Sequence, residues 1–385
     1  VAIVLSYSRA GIISLAAVCT IFLYQKLLHR RILKFSLLAG LVALILGCYW
    51  IKKDSADGRL LIWQSCINMV KDSPWIGHGL GSFEARYMDY QAEYFRIHGQ
   101  QNRYAMLADN VKHPFNEYME ILLNFGIIGL VILFAFIFLL IYCYKLNPDI
   151  EKKIAVYVLI SIGTFSLFSY PFTYPFAWII TLLSVLIIIK EPIKVFFAAS
   201  WKKNVVCALV IGCSMIGIYE LVERIQAELE WGRISKLTLS DSYDTVLPAY
   251  EKLEKAFADN PYFLYNYAAV LLEKKQYDKS LEIALQCRKY WADYDLELIL
   301  GENYQQLNKP KLAEKYYNSA SMMCPSRFLP LYKLFHLYKM NGEKERSLAM
   351  AEAVVDKPMK IETVAIKRMK REMEREIQKI NIVTK

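Results

Sequence analysis

Four side chains in the first 120 residues have types that suit one kind of chemistry: Arg9, Arg59, Trp63 and His113. Guanidinium groups bind phosphate oxygens through charged, forked hydrogen bonds. Aromatic rings stack on the faces of sugars, and a histidine near neutral pH can accept a proton from an attacking hydroxyl. A lipid-linked sugar diphosphate as donor and a hydroxyl as acceptor would use all three properties.

Further polar residues lie near these four in sequence. Asn116 and Glu117 follow His113 closely, and they are either substrate contacts or the N-cap and first-turn acid of a helix. Three arginines between the two groups are secondary candidates for donor binding, or else solvated charges: Arg86, Arg96 and Arg103.

Other local motifs point to no cofactor and no metal. The GHGLG run at 77–81 resembles a phosphate-binding loop only in its glycines, because it lacks the following Lys and Ser/Thr. His78, His98 and His113 have irregular spacing and no cysteine or HExxH companion, so we predict no metal site. No GxSxG motif argues for acyl transfer.

The composition is that of a membrane protein with a second, soluble part. Hydrophobic residues make up 55% of 385 residues, with a mean hydropathy of +0.22 and a net charge of +10. Soluble domains of this size do not combine these values. Near residue 222 the apolar runs give way to charged, tyrosine-rich sequence, which predicts an all-α membrane domain over 1–222 and a second domain after it.

Six apolar stretches are candidate membrane spans, and the fourth and fifth are alternatively one broken, re-entrant segment that contains Pro171 and Pro175. They lie at about 1–24, 32–51, 118–144, 154–170, 176–190 and 204–222. Positive charge on short loops marks the cytoplasmic side, and the basic residues fall on alternate links: Lys26, Arg30, Arg31 and Lys34; Lys145, Lys152 and Lys153; Lys190, Lys194, Lys202 and Lys203. We therefore expect a multi-pass protein of a bacterial inner membrane, with the 52–117 loop and everything after 222 on the periplasmic side.

Arg9 falls inside the first predicted span, toward its outer end. A charge at the centre of a spanning helix costs about 2.5–3.5 kcal/mol on insertion scales, so such a residue usually faces a cavity, a partner or an anionic ligand. Small neighbours in SYSRAG would let a ligand approach. The alternative is that Arg9 extends to the nearby interface.

The second half contains a repeat. Aligning its helical stretches places Ser280, Ala313 and Ser347 in register, 33 and 34 residues apart, which is the tetratricopeptide period. We predict an α-solenoid of such repeats over 223–358 and a capping helix over 359–385. The repeats either pack only on each other or bind a protein partner or glycan; nucleic acid is not expected, because the basic residues of the last helix alternate with Glu.

The first 145 residues resemble the O-antigen ligase and polymerase family of membrane glycan transferases. The matching pieces are SRAG (8–11), Arg59-x-x-x-Trp63, the glycine motif within KDSPWIGHGLGSF (71–83), and Asn116 followed after nine residues by Gly126-Ile127-Ile128-Gly129. The resemblance implies a helical membrane domain of the GT-C kind and a metal-independent, inverting transfer from an undecaprenyl-diphosphate carrier. It also implies that Arg9 and Arg59 bind the diphosphate and that Trp63 lies in the substrate site.

One position departs from the family. Members commonly carry His immediately before that Asn, where this chain has Phe115. Either His113 takes the role of base, or Glu117 does, or the reaction relies on the arginines alone; we favour His113.

The resemblance leaves the acceptor open. An O-antigen ligase is our leading prediction, with an O-antigen polymerase or a protein O-oligosaccharyltransferase as alternatives. A non-catalytic membrane scaffold that recruits envelope-assembly proteins through its repeats is a further alternative, favoured by Phe115 and disfavoured by Arg9 within a span.

Overall fold

The computed structural model describes residues 8–27, 31–196, 200–238 and 243–383. Within these residues it contains sixteen α-helices, one 3-10 helix and no strand, so the all-α prediction is confirmed. Residues 1–7 of the first predicted span, Arg30 of the basic link and the last two residues of the predicted cap lie outside the described part.

The chain forms two compact units. The first unit comprises Val1–Phe83 and His113–Cys213, and the second comprises Glu84–Lys112 and Ser214–Lys385. The segment 52–117, which the sequence presents as one loop, therefore contributes to both units, and it contains two helices. We call Glu84–Lys112 the insert.

Eight of the helices begin before Cys213, the last residue of the first unit. They are α1 (Arg9–Lys26), α2 (Arg31–Ile51), α3 (Lys53–Asp72), α4 (Ser82–His98), α5 (Glu117–Leu146), α6 (Ile150–Ser166), α7 (Pro175–Phe196) and α8 (Ser200–Thr238), with the 3-10 helix Pro171–Thr173 before α7.

Three helices among the described residues are long and apolar enough to cross a membrane: Arg31–Ile51, Glu117–Leu146 and Asn204–Thr238. A shorter apolar helix covers Pro175–Lys190. Membrane location is thus supported, whereas the spans predicted near α1 and α6, and the topology, stay predictions.

Helix α3 lies in the stretch that the sequence suggested was loop. Its buried residues recur every three or four positions, at Leu61, Ile62, Ser65, Cys66 and Met69, which is the helical period. This stripe was hidden in the sequence because polar residues fill the rest of the helix.

The two glycine motifs contact each other. Helix α5 is interrupted at Gly126, whose φ of 64° is not helical, and its freed carbonyls at Leu123 and Asn124 accept hydrogen bonds from the N–H groups of His78 (2.8 Å) and Gly79 (3.0 Å). In return, Ile127 donates to Pro74 O at 2.8 Å. A break in a spanning helix must have its backbone groups satisfied in this way.

We call the place where these two motifs touch the glycine contact, and only glycine fits at its centre. A Cβ on Gly126 would lie less than 3.0 Å from the backbone of Trp75, and one on Gly77 would lie as close to the backbone of Asn124. The GHGLG run therefore holds the end of α3 against α5, and this contact, rather than phosphate binding, accounts for Gly77.

The second unit continues with eight helices that pack in succession. They are α9 (Tyr243–Leu253), α10 (Pro261–Glu273), α11 (Tyr277–Arg288), α12 (Tyr294–Gln306), α13 (Pro310–Met323), α14 (Leu329–Met340), α15 (Lys344–Asp356) and α16 (Val364–Val383).

The residues that the 33–34-residue period aligns are buried in these helices: Ser280, Ala313 and Ser347. Gly301 lies against the ring of Tyr317, which a Cβ would strike. In α16, Met373 is buried, whereas Ile361, which precedes the helix, and Val364, which is its first residue, are exposed. The assignment to tetratricopeptide repeats stays a prediction.

The insert packs on these helices. Ala292 donates to Glu84 O at 2.9 Å, and Gln91 Nε2 donates to Met323 O at 2.6 Å. Asn110 Nδ2 donates to Asp293 Oδ2 at 2.5 Å. A surface of α11–α13 that we considered for an outside partner is thus partly covered by the chain itself.

Candidate active site

Arg9 is the first residue of α1. Ser8 caps this helix by accepting from Gly11 N at 3.2 Å. The half-buried guanidinium of Arg9 donates to Cys48 O and Lys52 O, both at 3.2 Å, and to Ser55 Oγ at 2.8 Å. It thus contacts the corner between α2 and α3 through neutral acceptors.

Arg59 extends from α3 and is also half-buried. Its Cζ lies 5.0 Å from the centre of the Phe115 ring. Burial, and then the positive charge of Arg9, lower the pKa of Arg59 below its usual value, and Tyr170 opposes this in part. Within the described residues neither Arg9 nor Arg59 forms an ion pair with a carboxylate.

The two arginines share a cavity of about 130 Å³. Trp63, Tyr49 and Phe168 contribute aromatic rings to its lining, and the remaining lining residues are aliphatic apart from Cys48. Two cations in an apolar and aromatic enclosure suit a ligand with phosphate groups joined to a ring or chain.

The 113–117 segment lies against the same residues. Trp63 Nε1 donates to Pro114 O at 2.9 Å, and Phe115 adopts a left-handed conformation with φ 54°. The ring of His113 stacks on Tyr170, with centres 4.5 Å apart, and Phe115 meets the same tyrosine edge-on at 5.3 Å. His113 is thus placed beside Tyr170 and is not among the residues that line the cavity.

Residues 1–134 match the family model described as O-antigen ligase. The resemblance is thereby confirmed over these residues, which include Arg9, Arg59, Trp63 and His113. The O-antigen ligase family supports a membrane glycan ligase or polymerase kind of function, with a lipid-linked glycan donor. A search of the curated proteins found no match.

Asn116 and Glu117 have structural contacts at the start of α5. Asn116 caps this helix by accepting from Met119 N at 3.0 Å. Glu117 Oε1 accepts from Phe172 N at 2.9 Å, in the 3-10 helix. These two residues therefore begin the helix, as one of the two alternatives predicted, and their part in substrate binding stays a prediction.

The secondary arginines belong to the insert and hence to the second unit. Arg103 stacks over Tyr104 with its Cζ 4.5 Å from the ring centre. Exposed Arg96 pairs with Glu93 one turn away, and Arg86 also lies in α4. Their predicted part in donor binding stays a prediction.

From the sequence we overlooked Tyr49 at the cavity and Asp57 beside it. Tyr49 lines the cavity, and the Tyr49 hydroxyl donates to Asp57 Oδ1 at 2.6 Å. Asp57 is 9% exposed. Its position two residues before Arg59, in a segment facing the predicted site, was the signal that could have drawn attention to it.

Proposed function

We propose that this protein transfers a glycan from an undecaprenyl-diphosphate carrier to an acceptor hydroxyl at the outer face of the membrane. The observation that carries the proposal is the pair of half-buried arginines, Arg9 and Arg59, on one cavity without a carboxylate partner among the described residues. Burying like charges together is costly unless an anion joins them. A diphosphate supplies that anion.

In this reaction the arginines act on the leaving group. When the bond between the sugar and the diphosphate breaks, negative charge grows on the diphosphate oxygen, and two fixed guanidinium groups stabilise it more than they stabilise the bound donor. The neutral acceptors that hold Arg9 leave its positive charge available for this purpose.

Trp63 and His113 have supporting places in the proposal. The Trp63 ring lines the cavity beside Arg59, where it would pack on the donor, and its indole N–H holds Pro114. His113, through its stack on Tyr170, would help to place that ring beside Phe115, whose own ring lies against Arg59. The assignment of His113 as the base that activates the acceptor hydroxyl stays a prediction.

Ligase, polymerase and protein O-oligosaccharyltransferase activities all use this donor chemistry, and they differ in the acceptor. The scaffold alternative has no use for two uncompensated arginines in a cavity, so we place it last. A protein partner or acceptor would have to use surface of the second unit that the insert leaves open.

The test compares cells that lack the full-length gene after complementation with wild type, Arg59→Ala or Arg371→Ala. Arg371 is an exposed arginine of α16 and controls for loss of one positive charge. Membrane insertion and protein level are measured first. Lipid-diphosphate-linked glycan is then quantified together with glycan attached to lipopolysaccharide and to protein.

We expect the donor to accumulate in the Arg59→Ala cells while one attached product is lost, and that product identifies the acceptor. Removal of one oxyanion-stabilising group typically slows a reaction by about 10²–10³-fold. Wild-type levels of all three glycan pools in Arg59→Ala cells would refute the transferase proposal and leave the scaffold ahead.

A further inference from the structure

The corner between α2 and α3 carries a polar pair that the arginines do not explain. Tyr49, near the end of α2, lines the cavity, and its hydroxyl donates to Asp57 on α3 at 2.6 Å. Asp57 is 9% exposed. Within the described residues the Asp57 carboxylate forms no ion pair with Lys or Arg.

A buried carboxylate without a cation is costly, and an amide would hold the tyrosine hydroxyl equally well. What a carboxylate adds is the capacity to receive a proton. A phenol oxygen is both a donor and an acceptor, so a tyrosine that donates its one proton to a carboxylate can also receive a proton from another hydroxyl.

We infer that Tyr49 and Asp57 form the proton acceptor of the glycosyl transfer, an inference that rests on the proposed function. The acceptor hydroxyl oxygen forms a bond to the anomeric carbon, and the bond from that carbon to the diphosphate oxygen breaks. The electron pair of the broken bond stays on the diphosphate beside Arg9 and Arg59. The hydroxyl proton passes to the Tyr49 oxygen as the phenol proton passes to Asp57, which later releases it to water.

This assignment puts a proton acceptor, Tyr49, on the cavity. The described residues that line the cavity include Tyr49 and none from the 113–117 segment. Phe115 occupies the family's histidine position, and its ring faces Arg59 rather than offering a base. His113 stacks on Tyr170 and does not line the cavity, whereas Tyr49 does. In this scheme Tyr49 is a catalytic residue, and Asp57, which acts through it, is a positioning residue.

The test uses the full-length protein in detergent with Tyr49→Phe, Asp57→Asn and Asp57→Glu. Tyr157→Phe is the matched control, since Tyr157 also gives its hydroxyl to another helix, at Gln25 Oε1 (2.9 Å), but lies outside this cavity. Binding is measured with undecaprenyl diphosphate. Transfer is measured as loss of lipid-linked glycan from membranes of the gene-deleted host, with thermal unfolding as the check on folding.

We expect Tyr49→Phe and Asp57→Asn to slow transfer about 100-fold, the lower range for loss of acid–base catalysis, while the Kd for undecaprenyl diphosphate changes less than about twofold. Asp57→Glu should recover part of the rate, which a merely structural contact would not require. Asp57→Asn keeps an acceptor for the Tyr49 hydroxyl, so this variant is informative even if Tyr49→Phe unfolds.

Two results would overturn the inference while leaving the proposed function intact: transfer near the wild-type rate in Asp57→Asn with normal binding, or loss of transfer in His113→Gln alone. Absence of undecaprenyl diphosphate binding to the wild-type protein, or equal binding to Arg59→Ala, would instead contradict the proposed function itself.

Discussion

Arginine side chains have different kinds of partners in two regions of the molecule. One region is the arginine cavity, and the other is the contact between the insert and the helices of the second unit. At the cavity, Arg9 and Arg59 have neutral or aromatic neighbours. At the insert, Arg288 lies between Glu297 and Asp89, and Arg327 pairs with Asp109 at 2.7 Å. The first arrangement leaves positive charge for a ligand, and the second uses it within the chain.

This difference separates a site from a scaffold more clearly than residue type does. Arginine is frequent in both regions, and the sequence made Arg59 a principal candidate and Arg86, Arg96 and Arg103 secondary ones. The structure distinguishes Arg59 from Arg96 by their partners, because Arg96 pairs with Glu93 whereas Arg59 lies against the Phe115 ring. A buried cation without a carboxylate marks a place where an anion is missing, whereas a compensated one marks a structural contact.

Removing Arg288, the cation that pairs with Glu297, should have the largest effect on the stability of the protein. Glu297 is only 2% exposed and Arg288 is its cation, and burial raises the pKa of Glu297 despite that pairing. We expect Arg288→Ala to lower the free energy of unfolding by about 3–5 kcal/mol, because it leaves a buried charge unpaired. Thermal and denaturant unfolding of the purified protein would measure this loss.

The exposed pair provides the matched control for that experiment. Arg327→Ala should cost at most about 1 kcal/mol, since both side chains of its pair are about half exposed. Adding Glu297→Gln to Arg288→Ala should restore much of the stability. Equal losses at Arg288 and Arg327 would show that burial of Glu297 does not set the cost.

Adding a carboxylate to the arginine cavity is the converse experiment. Ala56 lines the cavity with both arginines, so Ala56→Glu would give them the carboxylate that they lack. We expect donor binding and transfer to fall about 100-fold while the thermal unfolding temperature stays the same or rises. Ala56→Gln has the same size without the charge, and if it reduces transfer equally, steric blocking rather than charge explains the loss.

A smaller effect is expected at the glycine contact, where the first unit relies on backbone packing. Ala at Gly77 would be strained by its φ of 68° and would also strike the backbone of Asn124, whereas Ala at Gly81 (φ 73°) would meet the strain but no neighbouring atom. We expect Gly77→Ala to lower the free energy of unfolding by about 1–3 kcal/mol more than Gly81→Ala does, which is the usual cost of overpacking. Thermal unfolding in detergent compares them, and similar losses would contradict the close contact.

The sequence predicted the parts of the fold that depend on local pattern. Long apolar stretches predicted the helices at Arg31–Ile51 and Glu117–Leu146, and the order of the motifs predicted the resemblance to the O-antigen ligase family over residues 1–134. Long-range contacts were beyond it: nothing local shows that Gly77 lies against α5, or that the insert packs on α11–α13. For the same reason the pairing of Tyr49 with Asp57 was missed, and Asn116 was read both as a ligand and as a cap.

The smallest predicted effect concerns the pH dependence of the pair between Asp109 and Arg327. Burial alone would raise the pKa of Asp109, but the hydrogen bond and charge of Arg327, the hydrogen bond from Asn110 N and the charge of Lys360 together outweigh it and hold the pKa below its usual value. A lowered carboxyl pKa in the folded protein means that the pair stabilises fully above the unfolded value, near 3.8, and loses this contribution as the pH falls through the folded pKa.

Asp109→Asn should therefore lower the free energy of unfolding by up to about 1 kcal/mol at pH 7 and by progressively less below pH 3.8. Denaturant unfolding at pH 7 and below pH 3.8 would measure both losses. If the cost of Asp109→Asn were the same at both pH values, the carboxylate charge would not be what holds the insert at this point, and the contrast with the uncompensated arginines of the cavity would rest on Arg288 alone.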